Sequence, residues 1–278
     1  MATALSRHVG GKGANQAVAA AQAGSATRLS ARVGRDDGAT WVLEFLRSAG
    51  VDIEVVTRDP DAPTGQAFIT VADGGENAIV VVAGANQRLA ADDARFAPTA
   101  DERVLLAQFE TSFDPLLAQF AASDTGRLRV LNAAPALLER SVLFEHCDVI
   151  LVNETELACY ARTSEVADST AEVAAAARSL ICRPQQTIIV TLGARGAVVV
   201  RARTATRIAG RSVRVVDTVG AGDCFCGVFA ASLDQGLAVD AAAERANRAA
   251  SIAVGRCGAA EAMPDRAEID AIPATTPA

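Results

Sequence analysis

Four apolar runs rich in β-branched residues recur through the middle of this chain: VLLAQFE from Val104, LRVLNA from Leu128, DVILVNE from Asp148 and TIIVTLG from Thr187. Stretches of helix-forming residues separate them. An amphipathic strand alternates apolar and polar residues, whereas a strand buried on both faces reads as a continuous apolar run. Such runs alternating with helices predict a mostly parallel sheet covered by helices on both sides, an α/β fold of three layers, α/β/α.

Before these runs, residues 14–24 (ANQAVAAAQAG) and 39–50 (ATWVLEFLRSAG) each read as a helix closed by glycine. Residues 65–84 break the alternation: two short strands flank Asp73-Gly74-Gly75, which is a hairpin signal. A hairpin inserted there either stands off the sheet as a small β lid or forms an antiparallel edge of it. After TIIVTLG the runs AVVVRA, TRIAG and SVRVVD read as strands, and a long helical stretch is expected from Asp223 to about Gly255. The whole reads as one domain over residues 1–264, followed by a loosely held tail, 265–278.

Of the 278 residues, 50% are apolar and 21% charged, enough for a sizeable core, and the net charge is −7. With no basic stripe, nucleic acid is not an expected partner, and any anionic ligand must be met locally. No apolar run approaches the roughly 18 residues of a membrane span, so no membrane partner and a cytoplasmic location are expected. The six cysteines read as reduced thiols, and Cys224 and Cys226, one residue apart, as packing rather than a metal knuckle.

Two segments carry chemistry. In Val215–Phe225 (VVDTVGAGDCF) a strand-like run enters a Gly220-Ala221-Gly222 turn and then a helix. Small residues there let backbone amides crowd at a helix N-terminus, where a phosphate's charge is stabilised. Asp223 lies in the first helical turn. It reads either as a cap or as a general base that takes a proton from a substrate hydroxyl. The second segment, Gly10–Gln16 (GGKGANQ), also opens a helix. It is neither a Walker loop nor a dinucleotide fingerprint, but Lys12 and Asn15 offer polar groups to a polyhydroxylated ligand beside close backbone.

These segments, about 200 residues apart, resemble the two signatures of the PfkB-type carbohydrate kinases, with GGKGANQAVAAA similar to the ribokinase branch. The resemblance spans about Val9 to Pro264. It includes the lid, Glu110 in FE, LNAAPA from Leu131, LVNETE from Leu151 and VTLGARGA from Val190. It implies a ribokinase-like fold and transfer of the γ-phosphate of ATP to the primary (5-) hydroxyl of ribose. Another sugar or nucleoside kinase, or a catalytically silent binding remnant, is the alternative.

Carried over residue by residue, the resemblance implies Asp223 as base, with the amides of Gly220, Ala221 and Gly222 as anion hole. Gly11, Lys12, Asn15 and Glu110 face the sugar. Asn153, Thr191, Gly193, Gly222 and Asn247 face the nucleotide, and Glu156 holds Mg²⁺ through water. Asp217, Val219, Val254, Cys257 and Gly258 surround a monovalent cation, K⁺, although Ala262 stands where the family places a serine ligand. From the residues alone, Glu110 also reads as a solvated helix-end charge, and Asn153 with Glu156 as a capping pair.

Only MATALSRH precedes the Gly-rich loop. The family's first strand, its Gly-Ser-x-Asn-x-Asp segment and half the lid are therefore expected to be missing, which leaves neighbouring strands unpaired. Homodimerisation through the lid, which the resemblance implies, is put in question with them.

Overall fold

The computed structural model describes residues 5–71, 77–94, 101–122, 126–164 and 169–273. In chain order the elements begin with α1 (Lys12–Gln22), β1 (Thr27–Arg28), β2 (Arg32–Val33), α2 (Asp37–Ser48), β3 (Val51–Asp52) and β4 (Thr57–Arg58). Then come β5 (Gln66–Val71), β6 (Asn77–Val82), α3 (Ala91–Ala94), β7 (Val104–Ala107), α4 (Phe113–Ala121), β8 (Leu128–Asn132) and β9 (Val149–Asn153). The chain continues through α5 (Glu154–Ala161), α6 (Thr170–Arg178), β10 (Thr187–Thr191), β11 (Gly196–Val200) and β12 (Ala205–Ala209). It ends with α7 (Ala221–Asp234), α8 (Val239–Ala253) and α9 (Arg266–Ala271).

The four apolar runs form adjacent parallel strands. The main sheet has the order β12-β11-β10-β9-β8-β7, parallel from β7 to β10 and antiparallel at β11 and β12. Because successive side chains point to opposite faces, each run feeds two cores. Val149, Leu151, Ile189 and Val199 pack with α1, α2, α7 and α8. Ile150, Val152, Ile188 and Val198 pack with α4, α5 and α6 on the other face. The three expected layers follow, and full burial of a side chain such as Phe229 contributes about 1.5–3 kcal/mol.

The lid strands β5 and β6 pair only with each other, in register from Gln66↔Val82 to Val71↔Asn77, so the hairpin stands off the main sheet. Its turn, Asp73-Gly74-Gly75, lies outside the described residues. The short parallel pairs β1–β3 and β2–β4 are also separate from the main sheet. Among the described residues, no strand pairs with the outer edge of β7, and no helix is long and apolar enough to cross a membrane.

Four expectations need correction. The long helix after Asp223 is two helices: Gly236, at φ 86°, ends α7, with Gly236 N–H donating to the Leu233 carbonyl and Leu237 N–H to that of Ser232. SVRVVD is not a strand, since its Val216 and Asp217 amides both turn to the Val254 carbonyl instead of a strand neighbour. The segment between β8 and β9 is a 3₁₀ helix, Leu138–His146, rather than an α-helix. The stretch after Pro264 is not a loose tail over its described part. There α9 is closed at its start by an Asp265–Glu268 capping box, buries Ile269 completely and ties Asp270 to Arg245 at 3.0 Å.

Candidate active site

Several helices supply their own N-caps: Asp36 for α2, Asn153 for α5, Ser169 for α6 and Asp265 for α9. The two glycine-initiated helices α1 and α7 do not. Gly11 (φ 94°) and Gly220 (φ 75°) precede them without a side-chain cap. First-turn amides of an uncapped helix seek partners elsewhere. At α1 the Lys12 N–H finds the Glu110 carboxylate, 2.8 Å away on the loop after β7. At α7 the Ala221 N–H reaches the Thr218 carbonyl at 3.3 Å, and a Cβ on Gly222 would meet no atom within 4 Å.

Gly227 brings these two helices together. A Cβ there would lie 2.3 Å from the Gln16 carbonyl oxygen and 2.7 Å from Ala19 Cβ, so only glycine admits the close crossing. One turn earlier, Asp223 meets α1. Its Oδ2 accepts from Asn15 Nδ2 at 2.8 Å and its Oδ1 from Gln16 Nε2 at 2.9 Å. All three side chains are buried. Both Asp223 oxygens therefore engage α1, which disfavours the capping reading. Asn15 Oδ1 is buried with no partner, an acceptor awaiting a donor.

Charge around this cluster is unbalanced. Burial alone would lower the Lys12 ammonium, yet Asp223, Glu110 and Glu156 outweigh it and hold it above its ordinary value. Burial pushes the carboxyls of Glu110 and Glu156 up, offset only partly by Lys12 at Glu110 and by the Asn153 amide and then Lys12 at Glu156. Glu110 is thus not a solvated helix-end charge. Its backbone is pinned too, by Gln108 Oε1 accepting its N–H at 2.6 Å and Gln87 Nε2 donating to its carbonyl at 3.0 Å.

Asn153 and Thr191 end the neighbouring strands β9 and β10 as register partners. They share the C-terminal edge of the parallel sheet, where ligands of open α/β sheets bind. The capping pair is formed: Glu156 N–H donates to Asn153 Oδ1 and Asn153 N–H to Glu156 Oε2, both at 2.8 Å. That uses one Glu156 oxygen and leaves Oε1 outside the box. Thr191 Oγ1 reaches the Val152 carbonyl at 3.5 Å, and Gly193 turns the chain at φ 54° just beyond it.

The remaining expected residues are less gathered. Asp217 accepts from Val219 N–H at 3.0 Å and from Gly258 N–H at 3.1 Å. The Val254 carbonyl accepts the amides of Val216 at 2.7 Å and Asp217 at 3.2 Å. Cys257 is exposed, and Ala262 is buried. Asn247 on α8 donates to the Ala209 carbonyl at 2.9 Å, tying that helix to the end of β12. Among the described residues, no three His, Cys, Asp or Glu side chains converge to hold a metal ion directly.

Three residues escaped the sequence reading: Gln16, Gln87 and Gln108. A signal existed for the first. Asn15 and Gln16 are the only polar positions among the buried residues of α1, an anomaly in an alanine face.

Comparison with known proteins places this geometry. The chain is 36% identical over 262 residues to the ribokinase of Haemophilus influenzae, covering 93% of this chain and 85% of that one. It is 34% identical over 259 residues to the deoxyribokinase of Salmonella typhi, covering 92% and 84%. Arabidopsis thaliana ribokinase, solved with ribose and ATP, superposes with a TM-score of 0.84 at 26% identity, over 94% of this chain and 86% of that chain. The pattern of the pfkB family carbohydrate kinases matches residues 2–266, which contain both glycine-initiated helices and the residues around Asp223, and the chain belongs to that family.

Proposed function

We propose that this chain is a ribose kinase that transfers the γ-phosphate of ATP to the 5-hydroxyl of ribose. The observation that carries the reading is the buried Asp223 carboxylate, held by two amides beside the partnerless Asn15 Oδ1 and within the first turn of an uncapped helix. A sugar hydroxyl placed there has a proton acceptor on one side and helix-terminal amides for the phosphoryl group on the other. As its oxygen bonds to the γ-phosphorus, its proton passes to Asp223, the bond to the bridging oxygen breaks, and ADP leaves with that electron pair. Lys12, Asn15 and Glu110 grip the other hydroxyls. Gly220, Ala221 and Gly222 supply the anion hole, and Asn153, Thr191 and Gly193 line the phosphates.

The residues fit Mg²⁺ held through water. Three carboxylates surround one ammonium, and Glu156 keeps an oxygen outside its capping box. Mg²⁺ at Glu156 would supply charge neutralisation at the phosphates. Asp217 and the backbone of Val219, Val254, Cys257 and Gly258 would hold a monovalent cation, and no step runs through it.

The relatives include both a ribokinase and a deoxyribokinase, which makes 2-deoxyribose the second acceptor to test. ADP release is measured with MgATP and either sugar. Release that depends on ribose and exceeds that with deoxyribose supports the reading. Preference for deoxyribose shifts the substrate, and sugar binding without ADP release makes the chain a silent binding protein.

A further inference from the structure

We propose that Gln16 is the positioning residue for the base: by donating from Nε2 to Oδ1 of Asp223, it holds the carboxylate so that Oδ2 takes the sugar hydroxyl's proton. This rests on the kinase reading above.

The argument begins with the asymmetry of the two amides. Asn15 and Gln16 are consecutive on α1, and each donates to a different oxygen of Asp223, at 2.8 and 2.9 Å. Asn15 has a second polar atom, Oδ1, buried and without a partner, so the ligand side of the cluster is the Asn15 side. A hydroxyl that donates to Asn15 Oδ1 lies next to Oδ2, the oxygen which Asn15 itself contacts. Gln16 is only 2% exposed and occupies the opposite oxygen. It does not reach the ligand and acts through Asp223.

A carboxylate end is otherwise loosely defined, because the last torsion of aspartate is broad and roughly two-fold. One donor leaves it free to swing about that contact. Two donors on a single rigid helix fix its plane, as preorganised general-base catalysis requires. The Gln16 backbone is set separately, since its carbonyl lies against Gly227 at the helix crossing. Changing the side chain therefore tests the hydrogen bond rather than the packing of α1 on α7.

In the transfer the sugar O–H bond breaks, the sugar oxygen bonds to the γ-phosphorus, and ADP departs with the bridging electron pair. The proton sits on Asp223 Oδ2 until water takes it. Throughout, Oδ1 keeps its bond from Gln16, so the proton is received at Oδ2.

The test compares the unsubstituted chain with Gln16→Met, which keeps length and loses the donor, by steady-state ribose-dependent ADP release. Turnover should fall roughly 10- to 100-fold, the scale of a misplaced catalytic group, while the KM values for ribose and ATP move less than about threefold. In an Asp223→Asn background the same change should cost almost nothing further, because Gln16 acts through the missing carboxylate. A merely structural role would lower both backgrounds alike, and that result overturns the inference.

Gln16→Glu adds a pH readout that survives even if Gln16→Met folds poorly. Its introduced carboxyl donates an O–H when protonated and repels Asp223 when ionised. The ratio of its rate to that of the unsubstituted chain should rise from about pH 8 to about pH 6. A flat ratio, or full turnover in Gln16→Met, overturns the positioning role alone. Failure of the unsubstituted chain to release ADP overturns the kinase reading, and this inference with it.

Discussion

Asp59 and Asp223 are both buried carboxylates, yet they are held in opposite ways. Asp59 lies near the base of the lid. Its Oδ2 meets Arg32 Nε at 2.8 Å and Arg88 Nε at 2.9 Å, and its Oδ1 accepts the backbone amides of Asp61 and Ala62. Asp223 takes its hydrogen bonds from two neutral amides, with the Lys12 ammonium nearby and no arginine bonded to it. Burial alone would push the Asp59 carboxyl up, but the Asp61 and Ala62 amides, then Arg32 and Arg88, outweigh it and hold it at about 2. A carboxylate filled by two amides and two guanidinium groups is a poor proton acceptor and a good clamp. One that takes a single amide at each oxygen keeps a lone pair that a substrate hydroxyl can approach.

The sharpest way to break this contrast is Asp223→Asn. The amide keeps the shape but cannot take a proton. Turnover should fall roughly 10²- to 10⁴-fold, with nucleotide binding nearly unchanged. Steady-state rates and calorimetric ATP binding check it, and near-normal turnover would return Asp223 to a structural role alongside Asp59.

Next in size is the crossing that delivers the donors. In Gly227→Ala the added Cβ meets the Gln16 carbonyl at 2.3 Å, so α1 and α7 must separate. Overpacking of this kind costs about 1–3 kcal/mol. Because the same shift moves Asn15 and Gln16 off Asp223, turnover should drop about tenfold at temperatures where the variant remains folded. Denaturant midpoints and rates, measured together, separate the two effects.

Glu156→Gln should do less. Glutamine still completes a capping box, so the start of α5 and the melting temperature should hold, while loss of the charge raises the Mg²⁺ concentration needed for half-maximal rate severalfold. An unchanged Mg²⁺ requirement would leave the pair with Asn153 as a cap alone.

How much of this was legible follows from where each signal lives. The β7–β10 strands were readable because strands covered on both faces read as apolar runs, most completely in β9 and β10, while β8 carries Arg129 at its exposed start and β7, at the sheet edge, is only half-buried. Asp223 was legible as a candidate base because Gly220-Ala221-Gly222 announces crowded amides before it. Other signals were present but overridden. Asp265-x-x-Glu268 is a capping box that marks α9, and Gly236 marks the end of α7. SVRVVD has strand composition, but the partner its amides find, Val254, lies 38 residues on, at the end of α8. The role of Gln16 was not legible for the same reason. Its meaning lies in a contact with Asp223, 207 residues away, which no local pattern encodes.

The smallest effect on turnover is expected from Asp59→Asn, and it completes the contrast. An asparagine at 59 can still accept at one atom, but its amide group points donors toward two guanidinium groups that are donors themselves. The variant should lose stability while its rate, measured below its melting temperature, changes less than about twofold, because Asp59 touches no residue around Asp223. The pH dependence follows from the depressed carboxyl. The ionised form is the one that the fold stabilises, so the contribution is fully present above the ordinary value of 3.8 and is lost as pH falls through about 2. The difference in melting temperature between the unsubstituted chain and Asp59→Asn should therefore be constant down to about pH 4 and close toward pH 2. A difference that is unchanged across this window would mean that the Asp61 and Ala62 amides and the Arg32 and Arg88 guanidinium groups do not hold the carboxylate ionised.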